Sequence, residues 1–201
     1  MAYGDIQVHQ TPPGGLRIEY HAMDAAEAFA KGDVVTLANT GEIQEALTTG
    51  VLATGLLGIA MGGASGPGGT TLNDPRTDTT YATGAMIPVA IPTSDTLFRT
   101  KNFTTGASAF DDTAPLAADI GNAVGIMSIS GVWGLDLGAD TNEDVARIVD
   151  VLDSTGATLQ PKTGGTARTV ATGDTYWVIF QIIAHMGLPD GGVAVAPIAE
   201  T

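Results

Sequence analysis

Apolar residues in this chain come in short runs broken by glycine, and the runs alternate more often than they follow a helical stripe. In KGDVVTLANTGEIQEA (31–46), Val34 to Leu37 form one extended run. Asn39, Thr40 and Gly41 break it, and a second run follows from Glu42, which is the layout of a hairpin. GLLGIAM (55–61) and IGNAVGIMSISGVWGLDL (120–137) are predicted as further strands. In YATGAMIPVAIPTSDTLF (81–98), Ile87, Val89 and Ile91 alternate and share one face. Pro88 and Pro92 fall on the other face and lack their N–H groups on the same side, which predicts an edge strand. TLFRTKNF (96–103) follows a turn at Thr93, Ser94 and Asp95 and reads as its hairpin partner. DVARIVDVLD (144–153) fits two templates. Val145, Ile148, Val149 and Leu152 make a helical stripe behind a capping box at Thr141 to Asp144, while Val145, Val149 and Val151 also suit a strand, and the β-branched residues favour the strand. The last strand, TYWVIFQIIAHM (175–186), is apolar on both faces: Tyr176, Val178, Phe180 and Ile182 on one, Trp177, Ile179 and Ile183 on the other. Both faces need cover, which makes Trp177, Ile179 and Ile183 a candidate subunit interface.

The breaks define the expected organisation. Residues 1–15 read as an extended N-terminal arm closed by Pro12, Pro13, Gly14 and Gly15. Tyr3, Ile6 and Val8 give that arm apolar residues to dock on a neighbour. Residues 16–190 then form one β domain, a small antiparallel barrel or sandwich, with long loops at 62–80 and 104–119, and residues 191–201 form a tail. MDAAEAFAK (23–31) predicts a helical turn or two, capped by Asp24 and ended by Gly32.

Composition narrows this all-β reading. The chain has 201 residues, 44% of them hydrophobic but only 5% aromatic, so the core must be built from aliphatic residues. Its 27 glycines and 10 prolines suit turns better than long helices. Eight basic residues against 22 acidic ones give a net charge of −14, which disfavours a nucleic-acid partner and an anionic membrane. No cysteine is present, which removes disulfides, thiolate nucleophiles and cysteine zinc sites. The start of the chain has neither the basic nor the apolar region of a secretory signal, and the most apolar stretch is too short to span a bilayer.

Candidate chemistry is sparse. His9, His21 and His185 lack metal-ligand spacing. Asp140, Asn142 and Asp144 begin like a calcium loop, but the required glycine is Val145 and the closing glutamate is Val151. The glycine-dense loop at 62–80 lacks the lysine and the strand–helix frame of a phosphate-binding loop, so no cofactor is expected. Ser128 and Ser130 have no base nearby in sequence, and Asp111 and Asp112 read as a solvated turn. The sequence makes no case for an enzyme.

The order of elements, KGDVVTL, GLLGIA, YATGAMIPVAIPTSDTLFRTKNF, VGIMSISGVWGLDL and GDTYWVIFQII, resembles the small β-barrel decoration (cement) proteins of tailed-phage capsids. The resemblance spans roughly residues 29–185; it departs in the length of the loops at 62–80 and 104–119 and leaves residues 1–28 without a counterpart. It implies a virion protein on the outer capsid surface, commonly a homotrimer, that clamps neighbouring major capsid subunits and stabilises the expanded head. The alternative reading is a receptor- or glycan-binding β-sandwich module of a phage fibre or cell surface.

Overall fold

The structure is a computed structural model that describes residues 6–24, 28–29, 31–38, 41–46, 50–51, 56–62, 79–80, 86–106, 109–110, 113–138, 144–160 and 166–183. In chain order the strands are β1 (Ile6–Gln10), β2 (Ile18–Ala22), β3 (Ala28–Phe29), β4 (Val34–Leu37), β5 (Ile43–Glu45), β6 (Gly50–Val51), β7 (Leu56–Ala60) and β8 (Thr79–Thr80). They continue with β9 (Met86–Ala90), β10 (Leu97–Thr100), β11 (Phe103–Thr104), β12 (Ala123–Ile129), β13 (Val132–Asp136), β14 (Ala146–Asp153) and β15 (Tyr176–Ile182). Among the described residues a 3₁₀ turn, Ala117–Asp119, interrupts them. The larger sheet runs β1-β10-β15-β14-β12-β13-β11, with β6 also paired to β12. The smaller runs β2-β9-β7-β4-β5, and β3 pairs separately with β8. Pairing is antiparallel except between β11 and β13. Neither strand order returns to its first strand, so the fold is a sandwich-like all-β arrangement rather than a closed barrel, although a single bridge from Met23, just after β2, to Ile43 of β5 brings the two ends of the smaller sheet together.

One core joins the two sheets. Val34, Leu56, Ile59 and Ala90 of the smaller sheet pack with Ile6, Phe98, Phe103, Ile126, Trp133, Val178 and Phe180 of the larger. Phe98 and Phe180 lie cross-strand with ring centroids 5.9 Å apart. The opposite face of the smaller sheet has its own cluster, including Val35, Ile43, Leu57, Ile87, Val89 and Ile91. One bulge lets β7 serve both clusters. Val35 faces Gly58 while Thr36 faces Leu56, so Leu57 is extra and the face alternation resets. β7 lies hard against β9 at Gly58. A Cβ on Gly58 would lie 2.3 Å from the Ala90 carbonyl oxygen.

Several local readings hold. β4 and β5 form the expected hairpin, with Gly41 at φ 83° in its turn. Tyr176, Val178, Phe180 and Ile182 share the core face of β15. The ambiguous segment is a strand, β14. A bulge between Ile148 and Asp150 leaves Val149 without a partner and turns it outward, off the face predicted for it.

Others are corrected. Residues 6–10 are not an arm. They form β1, paired register by register with β10, and Ile6 is in the core. Pro12 to Gly15 form a turn closed by the Gly15 N–H to the Pro12 carbonyl at 2.8 Å, which carries the chain from the larger sheet to the smaller. The helical turn at 23–31 is also replaced: Met23 bridges Ile43 and Ala28–Phe29 is a strand, while residues 25–27 and 30 lie outside the described residues.

β9 is interior, flanked by β2 and β7, so Pro88 and Pro92 do not mark an edge. Pro88 sits opposite Tyr20 at a position that donates nothing to β2, because Arg17 O accepts from Ile91 N and donors alternate. On its other side Pro88 O accepts from Met61 N at 2.9 Å, and the N–H that would return that bond is missing. Pro88 therefore ends the β7–β9 ladder just past Ala60. Pro92 lies beyond the strand. With both sides of β9 occupied, β10 cannot be its hairpin partner. The turn at 93–96, held by Thr96 N to Thr93 O at 3.0 Å, instead crosses between the sheets.

Candidate interaction surface

The outward face of the larger sheet carries the most distinctive group of side chains. Strand alternation that sends Phe98 and Thr100 inward sends Arg99 and Lys101 outward, and the same alternation on β15 brings Trp177 out beside them. The Arg99 guanidinium carbon lies 4.3 Å and the Lys101 ammonium 4.7 Å from the Trp177 ring centroid. Each is a cation–π contact worth about 0.5–1 kcal/mol at a partly exposed site. Arg99 Nε also donates to Gln7 Oε1 at 3.1 Å. Among the described residues neither cation is in an ion pair. Two of the chain's eight basic residues thus stand, among the described residues, without a carboxylate partner on one small area of a strongly acidic protein.

The three candidate interface residues share this face but differ in exposure. Ile179 is buried, lying cross-strand between Arg99 and Asp150. Trp177 is half-buried under the two cations, and only Ile183, 39% exposed, stands open, as does Val149 at 39%. Much of the cover expected from a second subunit is therefore supplied by neighbouring strands, whose cationic residues pack against the ring. The same sheet holds His9, at the bulge in β1. Its pKa is lowered from the ordinary 6.5 by burial first and by Arg99 second, against the opposing pull of Asp150.

Asp153 organises the turn after β14. It accepts from Thr155 Oγ1 at 2.6 Å, Thr155 N at 2.9 Å and Ala157 N at 3.1 Å, and pairs with Arg168. The Thr155 hydroxyl bond is the largest influence that holds its pKa below the ordinary 3.8. This is a turn anchor, with every contact local or structural.

The arm candidates divide. Ile6 is core and Val8 packs against the core, so neither is available to a neighbour; Pro12 and Pro13 form the intersheet turn, and Tyr3 lies outside the described residues. Ser128 is buried and faces the core opposite Trp133, while Ser130 sits in the β12–β13 turn at φ 53°. Asp111, Asp112, His185 and residues 140–143 lie outside the described residues, as does most of the 62–80 loop. Part of the 104–119 loop is ordered structure: Asp119 Oδ2 accepts from Leu116 N at 2.7 Å and closes the 3₁₀ turn. Among the described residues no three His, Cys, Asp or Glu side chains converge in a way that would hold a metal ion.

Sequence reasoning missed the role of Arg99 and Lys101. Their i, i+2 spacing in TLFRTKNF was the available signal, since it puts both on one face of a strand. No protein-family model matches the chain, and no curated protein matches it either.

Proposed function

We propose that this protein is a structural virion component that binds the outer surface of a tailed-phage capsid as a homotrimer and clamps neighbouring major capsid subunits in the expanded head. The observation that carries this reading is where the chain places its unspent groups. Trp177 with Arg99 and Lys101, and the open Ile183 and Val149, lie on the outer face of a sheet. An outward sheet face of this kind suits a macromolecular partner, with an aromatic and arginine centre that can anchor it. The resemblance rests on the order of the sequence elements, and the net charge of −14 argues against nucleic acid as the partner. Ile6 and Val8 are withdrawn from the contact, and the outer face of the larger sheet takes their place. Repetition around a trimer multiplies modest contacts, by roughly 100-fold or more for each further attachment that geometry permits.

The test is cosedimentation of the purified protein with expanded and unexpanded phage heads, for the wild type and for Arg99→Glu/Lys101→Glu. Binding to expanded heads alone, weakened at least tenfold in the variant, is the expected result. No binding to either form, together with retention of glycans on an array, would replace this reading with the receptor-binding module.

A further inference from the structure

With 22 carboxylates against eight cations, a basic side chain in this protein has acidic groups in excess to choose from. Arg17 meets Glu19 and Arg168 meets Asp153. Arg99 and Lys101 do otherwise: among the described residues no carboxylate pairs with either, and both lie against the Trp177 ring. Arg147 stands exposed on the same outward face, across the β14–β15 ladder from Gln181. Asp150 shares the face, but Ile179 stands between it and Arg99. Its Oδ1 is also engaged locally, accepting from Val151 N at 2.8 Å and from the Thr158 hydroxyl. The charge of Arg99 therefore reaches outward. On the neighbouring strand the pKa of His9 is lowered by burial first and by Arg99 second, with Asp150 opposing.

The geometry holds these cations ready for an anion. Two like charges beside one ring repel each other, and an arriving carboxylate relieves that repulsion. The ring attracts both cations and so keeps them together. Gln7 fixes the guanidinium by accepting from Arg99 Nε at 3.1 Å, which leaves the two η nitrogens as a fork for a carboxylate. Apolar groups flank the fork: Leu152, half-buried opposite Trp177, and Val149, turned outward by the β14 bulge.

We infer that Arg99 and Lys101, held over Trp177, form a carboxylate-binding site for an acidic segment of the major capsid subunit. The identity of that partner rests on the capsid reading; the carboxylate chemistry rests on the side chains alone. Charge complementarity selects the occupant. A nucleic acid brings a dense run of phosphates to a protein of net charge −14 and is repelled, whereas a short acidic segment brings a few charges to the place that attracts them. A glycan would need an aromatic face to stack on, and the Trp177 ring is already engaged by two cations. Trp177 is thus a positioning residue, and Arg99 and Lys101 are the groups that touch the carboxylates.

The test is a titration of the isotope-labelled full chain with a blocked triglutamate peptide, and with triglutamine as the neutral control. The indole N–H of Trp177 and the Nε–H of Arg99 are followed by nuclear magnetic resonance. Saturable shifts at both groups with triglutamate alone, fading as salt is raised, are the expected result. Arg99→Gln/Lys101→Gln is expected to weaken binding at least about fivefold. Trp177→Leu is expected to weaken it although both cations remain, and Trp177→Phe to restore most of it, because phenylalanine keeps the ring face. Arg99→Lys is expected not to substitute for the fork. No saturable shift, equal shifts with triglutamine, or tighter binding of 3′-sialyllactose at the same two groups overturns the proposal. Shifts at these groups that grow with protein concentration in the absence of peptide assign the face to a second copy and overturn it too. The wild-type titrations decide on their own should a variant lose its fold. Heads that bind while triglutamate does not overturn this inference and leave the capsid reading standing; triglutamate that binds while heads do not supports the site and removes the capsid reading.

Discussion

Replacing Ile6 with alanine separates a docking arm from a structural strand. In a free arm the substitution leaves the stability of the fold untouched. In this structure Ile6 is 2% exposed, sits in the shared core and faces Thr100 across the β1–β10 ladder. Alanine removes three carbon atoms, which at about 0.8 kcal/mol each is about 2.4 kcal/mol of lost transfer free energy. An unrelaxed cavity adds to this, and buried Ile→Ala changes span about 2–5 kcal/mol. β1 lies at the margin of its sheet and can settle inward, so the expected loss is about 2–4 kcal/mol. With a urea slope of about 2–3 kcal/mol per molar, the unfolding midpoint falls by about 1 M. Equilibrium urea titration followed by tryptophan fluorescence reads this directly, since Trp133 belongs to the same core. Thr11→Ala, at an exposed position just after β1, is the control and is expected to leave the midpoint in place. If Ile6→Ala shifts the midpoint no more than Thr11→Ala, β1 does not belong to the folded sheet, and the reasoning that withdrew it from partner contact fails.

Gly58→Ala drives a methyl group to 2.3 Å from the Ala90 carbonyl oxygen and 2.7 Å from Val89 Cγ1. The expected cost is about 3 kcal/mol, measured by the same titration, whereas Gly14→Ala at an open turn is expected to be neutral. Acid stability is expected to fall in two windows. His9 has a lowered folded pKa, so below 6.5 the unfolded chain takes up the proton first, and this contribution is full above 6.5 and lost as pH falls below it. Asp153 likewise contributes above 3.8 and loses its contribution as pH falls further, the direction set by its depressed folded value. Thermal melts across pH for His9→Gln and Asp153→Asn check this: each is expected to abolish the dependence in its own window only.

What the sequence displayed was parity. The alternation of Ile87, Val89 and Ile91 was legible because side-chain direction depends only on neighbours two residues away, and all three are buried together. The two faces of β15 and the hairpin β4–β5 were legible for the same reason. Parity failed where a bulge resets it. Val149 is on the wrong side of its expected face because one extra residue lies between Ile148 and Asp150, and nothing in DVARIVDVLD distinguishes a bulged strand from a regular one.

Pairing was another matter, because it joins residues far apart in the chain. β1 meets β10 across some ninety residues, so Ile6 and Val8 read as apolar residues of a leading arm until Thr100 and Phe98 were placed opposite them. Proline gave the right local fact, a missing donor on one side of β9, and the wrong global one. The missing donor ends a ladder inside the sheet and does not guard an edge. β2, IEYHA, stands first in its sheet with no local mark of that position, since position in a sheet depends on which distant strands lie alongside. Edges and faces are the features that residue-by-residue patterns encode least. That is why the exposed Ile18 and Tyr20, and the cations over Trp177, emerge only once both sheets are assembled.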